Sequence, residues 1–252
     1  TQAKTLFPYT TLFRSMLRSI YNRGVDMHQA PYVHGLFRDV FTGVDTRQKK
    51  AIPIGELHIL LNKDPQSEKL RRTQAIANLL FQFCGMPFSD LAHLEKSNLE
   101  RGLLKYNRTK TGTPMSIEVL ESAQNAIGGL YNKSDARSSG YPDYLFRILS
   151  GAYKRNEEGA YREYQSALRR FNNELKSLSR KLRLHSPVTS YTLRHSWATT
   201  AKYRGVPIEM ISESLGHKSI KTTQIYLKGF ELEERTKVNK LNYSYICSFK
   251  MF

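Results

Sequence analysis

Cysteine is nearly absent from this chain, with Cys84 and Cys247 the only two among 252 residues. They lie far apart and have no metal-ligand or disulfide spacing near them, which argues against a disulfide framework and a structural metal site. A reducing, cytoplasmic compartment fits that usage. Long apolar runs are missing as well, since nothing approaches the roughly 20 residues needed to span a bilayer. The early stretch from Thr5 to Phe13 is short, broken by Pro8, and has no cleavage signal. Neither secretion nor a membrane is expected.

Acidic residues are also scarce, 22 against 39 Lys and Arg, which leaves a net charge of +17. Such an excess costs stability through self-repulsion and attracts polyanions, of which nucleic acid is the commonest for a basic protein. With 40% hydrophobic and 11% aromatic residues, the chain still has the means to bury an ordinary core.

Residues 1–15 show no pattern that joins them to the adjacent segment and read as a possible non-native leader. From Met16 to Arg23 the spacing is helical, with Leu17, Ile20 and Tyr21 on one face before Gly24. Pro31, Gly35, Gly43 and the basic run Arg47 to Lys50 then read as a linker, so 16–50 is expected to be a domain remnant plus linker. A principal domain is expected over 51–235, with a tail over 236–252. Within it, helices are predicted over 54–61 and 67–83, and a hairpin over 103–120 around Thr111-Gly112-Thr113, where Met115, Ile117 and Val119 alternate with polar residues. Tyr161, Tyr164, Leu168, Phe171, Leu175, Leu178 and Leu182 recur at steps of three and four and predict a helix of about six turns. Its other faces carry Arg169 and Arg170, either a solvated surface or DNA contacts. Helices over 192–204, 207–215 and 219–228 complete a mainly α domain with one small antiparallel β-sheet, an α+β class.

Two strings near the C-terminus carry the chemistry. Thr189-Ser-Tyr-Thr-Leu-Arg-His-Ser-Trp-Ala-Thr199 is succeeded by Leu215-Gly-His-Lys-Ser-Ile-Lys-Thr-Thr-Gln-Ile-Tyr226. His217 stands 23 residues after Arg194, and Tyr226 nine after His217. In this order and spacing the chain resembles the catalytic domain of the tyrosine recombinases, or phage integrases, over about 51–234, and its wording is similar to integrases of Bacteroidetes mobile elements. The resemblance implies that family's catalytic fold, site-specific DNA recombination or integration, and a bacterial, nucleoid-associated enzyme that works on double-stranded DNA. It implies assembly with further protomers into a tetrameric synapse, and needs no cofactor or metal.

Cutting a phosphodiester without metal needs an oxygen nucleophile, an acid for the leaving 5′ oxygen, and positive charge over the non-bridging oxygens. By resemblance Tyr226 is the nucleophile that forms a 3′-phosphotyrosine, Arg194 grips the phosphate with its planar fork, and His217 bonds the phosphate or helps move protons. Lys110, on the hairpin, is the acid for the leaving oxygen. Where many members have His, this chain has Tyr191, whose hydroxyl can still bond a phosphate oxygen. Lys49, Lys50, Arg108, Arg169, Arg170, Lys218 and Lys221 are candidate DNA-binding residues.

One position departs more seriously, because Cys84 stands where the family has its first arginine. A thiol supplies neither fixed charge nor a bidentate fork. Losing such a contact typically costs about 3–4 kcal/mol of transition-state stabilisation. A neighbouring cation such as Arg108 or Lys105 compensates, or the enzyme is slow, or it is a decayed copy. Two other readings stand beside the recombinase: a non-catalytic DNA-binding protein, because 207–225 scans as a helix-turn-helix, and a type IB topoisomerase, whose signature lacks the Leu-Gly-His box.

Overall fold

The computed structural model describes residues 9–37, 51–133, 141–227, 236, 239 and 240, and the chain divides into two compact units, 1–48 and 49–252. In the first unit, helix α1 runs over Tyr9–Asp26. It therefore begins before the expected Met16 and passes through Gly24. The Tyr21 hydroxyl donates to the Pro31 carbonyl at 2.8 Å and accepts from the Val33 amide at 2.7 Å, folding the next turn back onto the helix.

The second unit is mainly helical with a three-stranded antiparallel sheet. Helices α2 (Ile54–Asn62) and α3 (Glu68–Gln82) lead to a short α4 (Phe88–Ala92). Strands β1 (Leu99–Glu100), β2 (Leu103–Asn107) and β3 (Pro114–Glu118) come after it in spatial order β1-β2-β3, with Leu104 paired to Ile117 and Asn107 to Pro114. Helix α5 (Glu121–Leu130) and the long α6 (Glu158–Lys181) come next, then α7 (Ser190–Tyr203), α8 (Ile208–Ser214) and α9 (Ile220–Tyr226).

Helix α3 is the hub, packing on α2, α5, α6 and α7. Its buried positions Thr73, Ile76, Ala77 and Leu80 fall at steps of three and four, with Leu79 beside them. Along α6 the buried face is Ala160, Ala167, Phe171, Leu175 and Leu178. Tyr161, expected on that face, is 64% exposed because Ala160 takes the inward place. Phe171 stacks on Phe88 with centroids 4.7 Å apart, which locks α4 to α6. A smaller cluster of Ala198, Ile211, Leu215 and Leu227 holds the three C-terminal helices together.

Helix α7 is fixed at its start by a capping box in which the Thr189 side chain accepts from the Thr192 amide, and by the Asn172 side chain on the Ser190 amide. The Ser196 hydroxyl accepts from the Ile52 amide at 2.8 Å, tying the middle of α7 to the start of this domain. Because Leu80 is fully buried on the hub helix, Leu80→Ala should lower the unfolding free energy by about 2–5 kcal/mol in urea titrations. Met210→Ala, at a side chain 58% exposed, should stay within about 0.5 kcal/mol. Equal effects would refute this placement of the core.

Candidate active site

The site forms where the end of α3, the β2–β3 turn, the first turns of α7 and the α8–α9 turn meet. After α3, Cys84 and Gly85 both adopt positive φ, 55° and 63°, and turn the chain sharply. A Cβ on Gly85 would lie 3.2 Å from the Arg194 Cα and from the Trp197 Cβ. Only glycine lets α7 approach this closely. The approach carries the Arg194 guanidinium, 6% exposed, into the interior. There Nη1 donates to the Gly85 carbonyl at 2.8 Å and Nη2 to the Leu215 carbonyl at 2.6 Å.

Arg108 reaches the same carbonyl from the hairpin. It comes just after β2 at the point where the hairpin turns, its amide donating to Thr113 and its carbonyl accepting from Gly112. Its side chain, 7% exposed, donates through Nη1 to the Leu215 carbonyl at 2.6 Å. Its Nε lies 3.1 Å from Asp90 Oδ2, a charge contact whose geometry falls short of a hydrogen bond. Asp90 is buried and also accepts from the Thr109 amide through Oδ1, so α4 orients the arginine and the turn that bears it. Gly216 makes room: a Cβ there would fall 2.9 Å from the Arg108 Cγ.

His217 closes the cluster. Its Nε2 lies 3.2 Å from Arg194 Nη2 and its Nδ1 2.8 Å from the Thr223 hydroxyl. Burial, and then the charges of Arg194, Arg108 and Lys110, push its pKa down to about 4. Lys110 is exposed on the β2–β3 turn, near enough for its charge to be felt by the imidazole. Burial raises the Cys84 thiol, so it is held neutral. Tyr106 on β2 is also raised, first by burial and then by the Asp90 charge.

Of the residues singled out from sequence, Arg194, His217, Arg108 and Lys110 are therefore brought together, with Cys84 next to the Gly85 carbonyl that Arg194 uses. Tyr226 is the last residue of α9, and its side chain lies outside the described residues. Tyr191 is 42% exposed on the first turn of α7, three residues before Arg194. Lys218 and Lys221 are exposed beside His217, and Arg169 and Arg170 are exposed on α6. Lys49 and Lys50 lie outside the described residues. Asp90 and Thr223 were not singled out. Their sequence signals, an ordinary helix carboxylate and one Thr of a pair, say nothing until the fold aims them inward.

The lowered His217 pKa has a direct consequence. Between about 6.5 and about 4 the unfolded chain binds a proton that the folded chain refuses, so stability falls as pH is lowered through that window. His217→Gln should flatten that part of the curve of melting temperature against pH. Parallel curves for the two proteins would show that the imidazole is not held neutral.

These residues match a known group of proteins. A family model described as the phage integrase family matches residues 55–232. A probable integrase/recombinase protein of Methanocaldococcus jannaschii is 28% identical over 204 residues, covering 78% of this chain and 58% of that protein. The tyrosine recombinase XerD of Halalkalibacterium halodurans is 30% identical over 190 residues, covering 71% and 57%. The chain thus spans less than two thirds of the length of these relatives. Among solved structures, the Tn1549 transposon integrase in complex with a circular intermediate DNA superposes with a TM-score of 0.62 at 15% identity, covering 94% of this chain and 81% of that one. XerA recombinase gives 0.56 at 22% identity, covering 79% and 66%. At these identities the likeness speaks for the fold. The match to the family model, which takes in most of the chain and all of the clustered residues, establishes that the chain belongs to the phage integrase family and contains a tyrosine recombinase catalytic domain.

Proposed function

We propose that this chain cuts and rejoins double-stranded DNA at specific sites through a 3′-phosphotyrosine on Tyr226. The observation that carries the proposal is the meeting of two buried guanidinium groups, Arg108 and Arg194, on one carbonyl beside His217 and the Lys110 turn. Three cations around a single carboxylate make a net positive site, suited to a phosphate and costly to hold without one. In the proposed cleavage the Tyr226 oxygen bonds to phosphorus and the bond to the 5′ oxygen breaks. The phenolic proton passes to a base, and Lys110 gives a proton to the departing oxygen. Arg194 and Arg108 neutralise the charge that grows on the non-bridging oxygens, and the Tyr191 hydroxyl adds a further bond.

On this reading the charge missing at Cys84 comes from Arg108, and the enzyme is not impaired. Asp90 supports this by its contact with Arg108 Nε while Nη1 donates to the same carbonyl as Arg194. The exposed Lys218, Lys221, Arg169 and Arg170, together with Lys49 and Lys50, would track the DNA backbone. Several family structures carry bound DNA, a lambda integrase dimer on a core site among them. Assembly of this chain with further protomers on DNA, up to a tetramer, is part of the proposal, as is action in the cytoplasm on bacterial DNA. No described helix is long and apolar enough to cross a membrane. A plain helix-turn-helix protein would have no use for two arginines buried under the turn between α8 and α9.

The test is trapping on nicked suicide duplexes with randomised arms, read as a covalent protein–DNA band. The band should form with the unaltered chain and vanish in Tyr226→Phe. In single-turnover cleavage Arg108→Ala should lose about two orders of magnitude or more, and Cys84→Arg should gain little. A gain of about a hundredfold in Cys84→Arg with no loss in Arg108→Ala would instead mark the chain as an impaired relative.

A further inference from the structure

Thr223 is fully buried, while its neighbour Thr222 is exposed. It sits on α9 three residues before Tyr226, and its hydroxyl is 2.8 Å from His217 Nδ1. A hydroxyl can donate or accept, so this contact alone leaves the imidazole tautomer open. The other ring nitrogen decides it. Nε2 lies 3.2 Å from Arg194 Nη2, and a guanidinium has only protons to offer. Nε2 must therefore present its lone pair, and the ring proton must be on Nδ1, donated to the Thr223 oxygen. A doubly protonated ring would set one N–H against another.

The position of Thr223 depends in turn on how α9 is seated. The Lys202 ammonium donates to the Leu227 carbonyl at 3.1 Å, holding the C-terminal end of α9. Leu227 packs with Ala198, Ile211 and Leu215, and the Ser219 side chain caps the other end. The helix that carries Tyr226 thus also carries the oxygen that accepts the Nδ1 proton which the Arg194 contact requires of His217.

We propose that Thr223 is a positioning residue that supports the Nδ1–H tautomer of His217 by accepting its ring proton, so that Nε2 stays a proton acceptor in the site, and only while α9 is docked. The role of Nε2 rests on the cleavage reading above, whereas the tautomer itself does not. Seating of the nucleophile helix and readiness of the base then become one event. If α9 leaves its place, the buried Nδ1 proton loses its acceptor and the advantage of this tautomer is lost.

The test begins with long-range proton–nitrogen NMR of the full chain labelled with 15N-histidine, near pH 7.5, with the His217 signals identified by their loss in His217→Asn. The unaltered chain should show a protonated Nδ1 and a bare Nε2. Thr223→Val, which keeps shape and removes the hydroxyl, should give mixed tautomers and at least a tenfold slower cleavage, part of the roughly 10²–10⁴-fold that a positioned proton-transfer group contributes. Thr223→Ser should restore both, and Thr222→Val should change neither. An Nε2–H tautomer in the unaltered chain, or a Thr223→Val protein that keeps both the tautomer and the rate, overturns the proposal. If Thr223→Val does not fold, the spectra of the unaltered chain and of Thr223→Ser decide. If the tautomers behave as stated but the unaltered chain forms no covalent band, the positioning of His217 stands and the cleavage reading falls.

Discussion

The carbonyl oxygen of Leu215 is the point on which the site depends. It accepts from Arg108 Nη1 and Arg194 Nη2, each at 2.6 Å. Hydrogen bonds to charged donors contribute about 1.5–3 kcal/mol each, and more is lost when a buried charge is left without its partner. That oxygen is available because α8 ends at Ser214 and the chain turns through Gly216 at positive φ. Leu215 itself is fully buried, which fixes the oxygen in place. A leucine, chosen for packing, thus positions two arginines through its backbone.

The rest of the domain delivers groups to that oxygen. The α3 hub ends in the Cys84–Gly85 turn, which lets α7 in closely enough for Arg194 to arrive. Helix α4, held by the Phe88–Phe171 stack, supplies Asp90, and Asp90 aims the hairpin arginine. The hairpin that presents Arg108 also presents Lys110, so a single register, Asn107 opposite Pro114, places both cations. Through His217 and Thr223 the same point is linked to α9 and so to Tyr226. On the proposed reading, an arginine taken from the hairpin instead of from the end of α3 keeps the number of guanidinium groups while changing the element that carries one of them.

Much of this was legible in the sequence, for identifiable reasons. The 3.6-residue period of α6 is long and clear, and the β2–β3 alternation is bounded by a Gly turn, so both elements fall where expected. Arg194 and His217 could be read together because their spacing is set by helices joined by tight turns, and they do meet; the Tyr226 side chain lies outside the described residues. Helix α4 was missed because its five residues are too few to show a period, and α5 because Gly128-Gly129 lies near its end. The two-residue β1 has no pattern of its own. Asp90 and Thr223 were invisible for a different reason. Their roles come from burial against residues distant in sequence, and neither type is unusual on a helix.

The central claim is that Asp90 acts through Arg108, and that Arg108 is a working part of the site and not an incidental buried charge. A double-mutant cycle on single-turnover cleavage, using Asp90→Asn, Arg108→Gln and the two together, tests it most directly. The account predicts that each single change slows cleavage and that the double mutant is no slower than Arg108→Gln alone, because without Arg108 the carboxylate has nothing to aim. Losses that multiply in the double mutant, or an Arg108→Gln chain that cleaves at the original rate, would contradict it.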